Sequence, residues 1–211
     1  MQMNSKTLLK FYANSNIVVI GSSGSGKTTA VLKIIEQNLI EPMPEKIFYL
    51  YGSARQPFMD DWIRDKKKPA IEFIEGLNLD IVNSYLGPKL LICDDLILEL
   101  NRNLAQHFIA GSTHKQTTTI FITHSLFLNN EHWRLCSNNA HYILLFKDKR
   151  HFAQVARFGR QILGAGYTRL VDAYKYTKTF GFVLLSFHPL VPDELLVTTD
   201  YFEKCPLKVF I

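Results

Sequence analysis

The sequence predicts an α/β domain in which helices cover both faces of a mostly parallel sheet. Apolar runs of strand length alternate with helical stretches, which is the order of βαβ units. A glycine-rich segment, "GSSGSGKTT" (21–29), joins the first apolar run to a helix. A later run, "LLICDD" (90–95), ends in two acids. With 211 residues, the chain is long enough for one domain with a well-buried core, and we predict a single domain over 1–211.

The elements follow in order along the chain. Residues 17–20 have the β-branched composition of a buried parallel strand. Further strands are predicted at 46–52, 70–77, 88–96, 117–125, 140–147 and 181–187. Helices are predicted from 27 to about 41, within 56–66, over 96–110, between the strands ending at 125 and beginning at 140, and over 150–163.

Composition and charge restrict the class of protein. A hydrophobic content of 47% with 20% charged residues is typical of a globular chain. The net charge of +5 suits an anionic partner such as nucleic acid without requiring one. The basic cluster "RDKKKP" (64–69) is either a solvated loop or a contact to a DNA backbone.

The cysteines and the apolar runs indicate an intracellular protein that is not secreted. Cys93, Cys136 and Cys205 are odd in number and widely spaced, so they predict neither a disulfide framework nor a metal site. No apolar run approaches the roughly 20 residues needed to span a bilayer. The first twelve residues, "MQMNSKTLLKFY", have no signal-peptide core.

The glycine-rich segment matches the phosphate-binding pattern G-x-x-x-x-G-K-[ST]. Its backbone N–H groups and the following helix N-terminus would form a nest for phosphate oxygens. Lys27 would reach the β- and γ-phosphates, and the Thr28 hydroxyl would ligate Mg²⁺. The predicted nucleotide-binding residues are Gly21, Ser22, Ser23, Gly24, Ser25, Gly26, Lys27, Thr28 and Thr29.

Polar residues follow two of the later strands. Asp94 ends a buried strand where ligands of open α/β sheets bind, and it would hold Mg²⁺ through its water shell. Asp95 would polarise the attacking water as a general base. Either acid could instead cap a helix in "DDLILEL". His124, at the tip of the next strand, would sense the γ-phosphate or orient water; a structural histidine is the alternative.

Two arginines are candidates for completing a neighbouring subunit's site. Ring-forming ATPases use such a cation, which is worth about 10³–10⁵ in rate. Arg134, in "EHWRLCSNNAHY", is the first candidate, and Arg150, after "LLFKDK", is the second. For each, an ordinary surface arginine is the alternative.

Several segments together resemble the DNA-packaging ATPases of the FtsK–HerA superfamily. They are "GSSGSGKTT", "LLICDDL", "FITHSLF", "RLCSNNAHYILLFKDKRHFAQVARFGRQI" and "DAYKYTKTFGFVLLSF". The resemblance runs from 16 to 187 and is closest to the form carried by polintons (Mavericks), adintoviruses and related double jelly-roll viruses. The fourth segment is the most specific of the five.

The resemblance assigns roles to particular residues. It implies that Lys27 and Thr28 bind phosphate and Mg²⁺ and that Asp94 and Asp95 form the acidic pair. His124 stands where the family has glutamine. Three further positions resemble family residues, namely Arg134, Asn139 and Gln161. Arg150 precedes His151, where the family usually has an aspartate.

The resemblance also implies a RecA-like core that assembles into a pentameric or hexameric ring. Its members use ATP and Mg²⁺ to thread double-stranded viral DNA into a preformed capsid, so capsid vertex or portal proteins become expected partners. The implied location is the host nucleus or a viral factory, or the virion itself. From the residues alone, two alternatives stay open, a P-loop nucleotide kinase and a nucleotide-gated switch or scaffold with slow hydrolysis.

Overall fold

The computed structural model describes residues 10–52, 54–128, 130–202 and 208–210. Within these residues a nine-stranded sheet runs through the molecule, beside a two-stranded one. The large sheet comprises β2 (Asn16–Ile20), β4 (Lys46–Tyr51), β5 (Glu72–Glu75), β6 (Lys89–Asp94), β7 (Thr117–Thr123), β8 (Tyr142–Phe146), β9 (Phe182–Ser186), β10 (Val197–Thr199) and β11 (Lys208–Val209). The small sheet pairs β1 (Phe11–Tyr12) with β3 (Ile40–Glu41).

Strand β2 lies between β7 and β8, and all three are parallel. On the β7 side the sheet continues through β6 and β4 to β5, again with parallel pairing. On the β8 side, β9, β10 and β11 pair antiparallel. The predicted mostly parallel sheet is therefore confirmed, and its antiparallel strands lie together at one edge.

Helices cover both faces of this sheet, as predicted. They are α1 (Lys27–Glu36), α2 (Pro57–Arg64), α3 (Leu79–Ser84), α4 (Arg102–His114), α5 (Glu131–Asn138), α6 (Phe152–Leu163) and α7 (Tyr167–Tyr176). Alternate residues of β2 belong to different cores. Ile17 and Val19 pack with residues of α1 and α2, whereas Val18 and Ile20 pack with residues of α3 to α7. Strand alternation explains this division.

The prediction for the helix after the phosphate loop was wrong at its end. The helix ends at Glu36 instead of continuing to about 41. Asn38 has a left-handed backbone (φ 51°), and the Leu39 N–H donates to the Ile34 carbonyl at 3.0 Å. This closure is typical of a helix C-terminus, and it releases the chain to form β3.

The predicted helix over 96–110 is also divided. A short 3₁₀ turn covers Ile97–Glu99, and α4 begins only at Arg102. The Asn101 side chain accepts a hydrogen bond from the Leu104 N–H and caps α4. The prediction missed Asn101 as the start signal, and it also missed α3 and the short strands β1, β3, β10 and β11.

Candidate active site

The phosphate loop lies at the carboxyl end of β2, where the chain turns into α1. Gly24 (φ 73°) and Gly26 (φ 98°) have left-handed backbone, a conformation that glycine adopts without a Cβ clash. Gly26 occupies the N-cap of α1, so the positive end of the helix faces the loop. A helix N-terminus that faces a glycine-rich turn in this way is an arrangement that binds anions in other proteins.

A cleft of about 450 Å³ opens beside this loop. Ser23, Gly24, Gly26, Lys27, Thr28 and Thr29 line it, together with Asp94, Asp95 and His124. The cleft also includes Gln56 and Phe180, which the sequence analysis did not single out. Gly21, Ser22 and Ser25 belong to the loop but do not line the cleft, and Gly21 and Ser25 are buried.

Lys27 is the buried cation of the site. Its Nζ donates hydrogen bonds to the carbonyl oxygens of Gly21 (2.8 Å) and Ser22 (2.9 Å). Burial lowers the pKa of Lys27, and the nearby carboxylates of Asp94 and Asp95 partly oppose that effect. A phosphate in the cleft would add the anionic partner that a desolvated ammonium group needs.

Asp94 ends β6 and is also buried. Its Oδ2 accepts hydrogen bonds from the Tyr49 hydroxyl (2.5 Å) and from the Thr28 hydroxyl (3.5 Å). Burial raises the pKa of Asp94, the Tyr49 hydrogen bond lowers it, and the neighbouring Asp95 raises it again. The carboxylate is thus held in an environment that disfavours its charge and that a cation would improve.

The residues around Asp94 fit a nucleotide-bound Mg²⁺. The Thr28 hydroxyl and the Asp94 carboxylate approach each other and supply only oxygen, the donor that Mg²⁺ prefers. In the part of the chain that the structure describes, no group of three or more His, Cys, Asp or Glu side chains could hold a metal ion. Mg²⁺ usually takes one or two protein oxygens and completes its shell with waters and substrate phosphates.

His124 connects Lys27 to Asp95. Its Nδ1 lies 3.3 Å from the Lys27 Nζ, and its Nε2 lies 3.0 Å from Asp95 Oδ1. An ammonium group can only donate, so the Lys27 contact makes Nδ1 the acceptor. The ring proton then sits on Nε2 and is donated to Asp95. This tautomer fits both contacts.

The two aspartates do not cap a helix among the described residues. The N-cap of the 3₁₀ turn after them is Leu96, without a side-chain cap. Asp95 instead has a left-handed backbone (φ 58°) that directs its carboxylate to His124. Such a conformation in a non-glycine residue is uncommon and recurs at functional sites.

Gly52 supports Asp95 from the neighbouring strand. Its N–H donates to the Asp94 carbonyl at 3.0 Å. A Cβ at position 52 would lie 2.4 Å from the Asp95 carbonyl oxygen, which is closer than van der Waals contact allows. The acidic turn therefore packs directly on a glycine backbone. No local pattern in the sequence indicates this contact, because it depends on β4 pairing with β6.

The two candidate arginines lie outside the cleft formed by the described residues. Arg134 is exposed on α5 and lines a separate groove with Gln161 and Arg157. Asn139 is the C-cap of α5, and its carbonyl accepts a hydrogen bond from the Asn16 side chain at the amino end of β2, away from the phosphate loop. The structure thus brings Arg134 and Gln161 into one groove, and Asn139 is not among the residues that line it.

Arg150 contacts a buried carboxylate that the sequence analysis missed. The Arg150 N–H donates to Asp148 Oδ1 at 2.8 Å, and its guanidinium lies 3.4 Å from Oδ2. That N–H hydrogen bond is the largest cause lowering the pKa of Asp148 to about 2, and a hydrogen bond from the Ser22 side chain contributes to it. Asp148 therefore joins Arg150 to the phosphate loop, and His151 also lies 3.5 Å from it.

The hydrogen bond from Tyr49 to Asp94 leads to a test of pH dependence. Because that bond lowers the pKa of Asp94, Tyr49→Phe should raise it. The Asp94 carboxylate would then be protonated at a higher pH. As the pH is lowered, Mg²⁺-dependent activity should therefore be lost at a higher pH than in the wild type. Hydrogen bonds to charged groups contribute about 1.5–3 kcal/mol, so the difference between variant and wild type should be resolved in Mg²⁺ titrations between pH 5 and 8.

Tyr142→Phe is the matched control for this measurement. Tyr142 is equally buried in the same core, and its hydroxyl accepts from the Tyr12 N–H at 3.2 Å, outside the cleft. Its titration should match that of the wild type. An unchanged acid limb in Tyr49→Phe would show that the hydroxyl does not control the charge of Asp94.

Solved structures with the same fold exist, although related sequences were not found. No family model and no curated protein matches the chain. The genome-packaging NTPase B204 of Sulfolobus turreted icosahedral virus 2, in complex with ATP-γS, is 11% identical with a TM-score of 0.56, over 99% of this chain and 98% of that one. The DNA-packaging ATPase B204 of Sulfolobus turreted icosahedral virus is 10% identical with a TM-score of 0.56, over 83% and 93%.

A solved structure of another kind of protein is also similar in fold. The KaiC-like protein PH0186 of Pyrococcus horikoshii is 12% identical with a TM-score of 0.52, over 95% of this chain and 92% of that one. At such identities the similarity concerns the fold. The chain thus has the RecA-like P-loop NTPase fold, which confirms the predicted fold class.

Proposed function

We propose that the chain is an ATP-hydrolysing motor that moves double-stranded viral DNA into a preformed capsid. The observation that carries the proposal is the cleft itself, in which Lys27, Thr28, Asp94, Asp95 and His124 converge beside the phosphate loop. Support comes from the fold shared with a genome-packaging NTPase along nearly the full length of both chains. The specific resemblance to the polinton and adintovirus form belongs to the same proposal.

In the proposed reaction each residue has a separate task. Lys27 and the loop N–H groups bind and orient the β- and γ-phosphates. Thr28 and Asp94 would hold Mg²⁺, whose charge neutralises the phosphate oxygens. Asp95 orients the attacking water and accepts its proton. His124 keeps Asp95 directed toward the γ-phosphate and, through Lys27, responds to its presence.

The ATPase rate with and without duplex DNA tests this function. A motor should be stimulated severalfold by duplex DNA, a nucleotide kinase should be indifferent to it, and a switch should stay slow in both conditions. The paired acids favour hydrolysis of the nucleotide over phosphoryl transfer to a small molecule, which is the reaction of a kinase. Histidine in place of glutamine is the feature that keeps the switch as the second candidate. If duplex DNA leaves the ATPase rate unchanged at every length tested, the motor is rejected.

The partners and location follow from the same proposal. Double-stranded DNA is the substrate that is moved, and a capsid vertex or portal protein would anchor the ring. The site of action is the host nucleus, a viral factory or the virion. None of the described helices is both long and apolar enough to cross a membrane. In the basic cluster, Lys68 pairs with Glu36 at 2.9 Å, which leaves the exposed Lys66 and Lys67 as candidate DNA contacts.

A pentameric or hexameric ring in which Arg134 completes the neighbour's site makes a distinct prediction. Arg134→Ala should bind ATP normally and hydrolyse it about 10³-fold more slowly. Mixing it with Lys27→Ala subunits should restore part of the activity, because some interfaces then combine an intact loop with an intact arginine. A 10³-fold difference in rate corresponds to about 4 kcal/mol of transition-state stabilisation. Even partial rescue is therefore measurable.

Arg157→Ala provides the control for that experiment. Arg157 lines the same groove and lies over the Phe127 ring at 5.3 Å, so its loss tests whether the groove alone matters. Mixtures that assemble without regaining turnover would exclude Arg134 as the acting arginine. The same mixing would then be applied to Arg150, and failure of both would favour the switch.

A further inference from the structure

We propose that Phe180 is the platform on which the nucleobase of the bound nucleotide stacks. This inference rests on the proposed nucleotide-binding role of the cleft and identifies a specific contact within it. Phe180 lines the cleft together with the phosphate loop. It is 70% exposed, although it is a large apolar side chain.

The order of strands puts Phe180 on the side of the loop opposite the acids. Asp94 and His124 follow β6 and β7, which lie on one side of β2. Phe180 precedes β9, which lies on the other side of β2, next to β8. The start of β9 pairs with the end of β8 through Phe182 and Phe146. A nucleotide carries its phosphates and its base at opposite ends. With the γ-phosphate near His124, the base end extends toward β8 and β9.

Phe180 also lies close to the phosphate loop. A Cβ built on Gly26, at the start of α1, would lie 3.9 Å from both the Cβ and the carbonyl oxygen of Phe180. A side-chain carbon at the start of α1 would thus be in ordinary van der Waals contact with Phe180, so the residue lies directly beside the phosphate loop. A ligand leaving the loop on that side would therefore meet the exposed ring.

The backbone holds Phe180 in place before any ligand arrives. Its φ of 62° is left-handed, which is a genuine outlier for a bulky side chain. The turn is fixed on both sides: the Gly181 N–H donates to the Lys178 carbonyl, and the Lys147 N–H donates to the Gly181 carbonyl, each at 3.0 Å. Strain kept at a ligand cleft by surrounding hydrogen bonds indicates preorganisation.

An exposed aromatic ring binds a nucleobase by stacking. Stacking requires that a base is present, but it distinguishes little between one base and another. Every base has a π-face, and loss of one base–aromatic stack costs about tenfold in affinity or more. We therefore expect ATP and GTP to depend on Phe180 to a similar extent. Inorganic tripolyphosphate, which has no base, should not depend on it.

The test compares Phe180→Gly with wild type for three ligands in the presence of Mg²⁺: adenylyl imidodiphosphate, guanylyl imidodiphosphate and inorganic tripolyphosphate. Glycine accepts the left-handed backbone without strain, so a folding defect is not expected. Calorimetry should show both nucleotides binding about tenfold more weakly and tripolyphosphate unchanged. Phe180→Tyr should retain wild-type affinity, and so should Leu86→Ala, which removes another highly exposed apolar side chain.

Each other outcome has a definite meaning. Unchanged nucleotide affinity in Phe180→Gly would overturn the stacking proposal, even if the oligomeric state changes. An equal loss for tripolyphosphate would also overturn it, because Phe180 would then support the loop and not the base. If wild type binds neither nucleotide nor tripolyphosphate, the proposed nucleotide site itself fails.

Discussion

Replacing Lys27 with alanine should abolish ATP turnover while the protein stays folded. The ammonium group is the one that contacts both the phosphate loop and His124. Removing a single preorganised donor from a transition state costs about 10²–10³ in rate. Lys27 also binds the ground state, so KM should rise as well, and we expect kcat/KM to fall by 10³-fold or more. Phosphate release over a range of ATP concentrations at saturating Mg²⁺ measures both changes.

The fold should survive because the charge of Lys27 is not a stabilising feature. A lowered pKa means that the folded state disfavours the protonated form. Below the pKa that the lysine has in the unfolded chain, burying its charge costs stability. Alanine removes that cost together with three hydrogen bonds. Circular dichroism and the thermal midpoint should therefore stay near wild type.

Lys33→Ala is the matched control on the same helix. Lys33 lies over the Phe202 ring at 4.5 Å and points away from the cleft. Its turnover should match that of wild type. If Lys27→Ala hydrolyses ATP at a rate comparable to Lys33→Ala, the cleft is not the site of hydrolysis.

The two aspartates should separate metal binding from chemistry. Asp95→Asn should keep ATP and Mg²⁺ affinity and lose about 10²–10⁴ in turnover, the range expected for a positioned general base. Asp94→Asn should in addition weaken Mg²⁺ binding, because Asp94 and not Asp95 faces the Thr28 hydroxyl. Asparagine keeps the shape of each side chain, so packing changes little.

Mg²⁺ titrations of nucleotide binding distinguish the two variants. The expected curves are wild-type-like for Asp95→Asn and shifted to higher concentration for Asp94→Asn. Identical curves would contradict the division of tasks. Asp80→Asn, an exposed acid on α3 outside the cleft, should leave both titration and turnover unchanged.

The sequence allowed prediction of those site residues that follow directly from a strand end. Asp94, Asp95 and His124 lie where an apolar run ends, and Lys27 ends the glycine-rich segment that follows another such run. Parallel strands bring these ends to one edge of the sheet. Tyr49, Gly52 and Phe180 were missed for a common reason. Their contacts depend on β4 lying beside β6 and on β9 lying beside β8, and an unaligned sequence does not give the order of strands.

The helix ends were the least predictable part of the fold. The apolar pattern continues past Glu36 into β3, so periodicity alone extended α1 too far. The actual end depends on a single left-handed residue, Asn38. The start of α4 likewise depends on one capping side chain, Asn101. Such local signals are weaker than an apolar repeat and are visible only once the boundary is known.

The contact between Gly52 and Asp95 sets a limit on how this sequence can evolve. Any side chain at position 52 would have to displace the Asp95 backbone, so a library of variants selected for ATP turnover should retain glycine there. Selection for folded protein alone should admit alanine or serine. Gly76, which has open space around it but a φ of 72°, should instead tolerate asparagine under both selections. Equal tolerance at positions 52 and 76 under selection for turnover would contradict this. Under the proposed function, the residues accepted at position 52 would indicate whether a descendant of this protein has kept nucleotide hydrolysis.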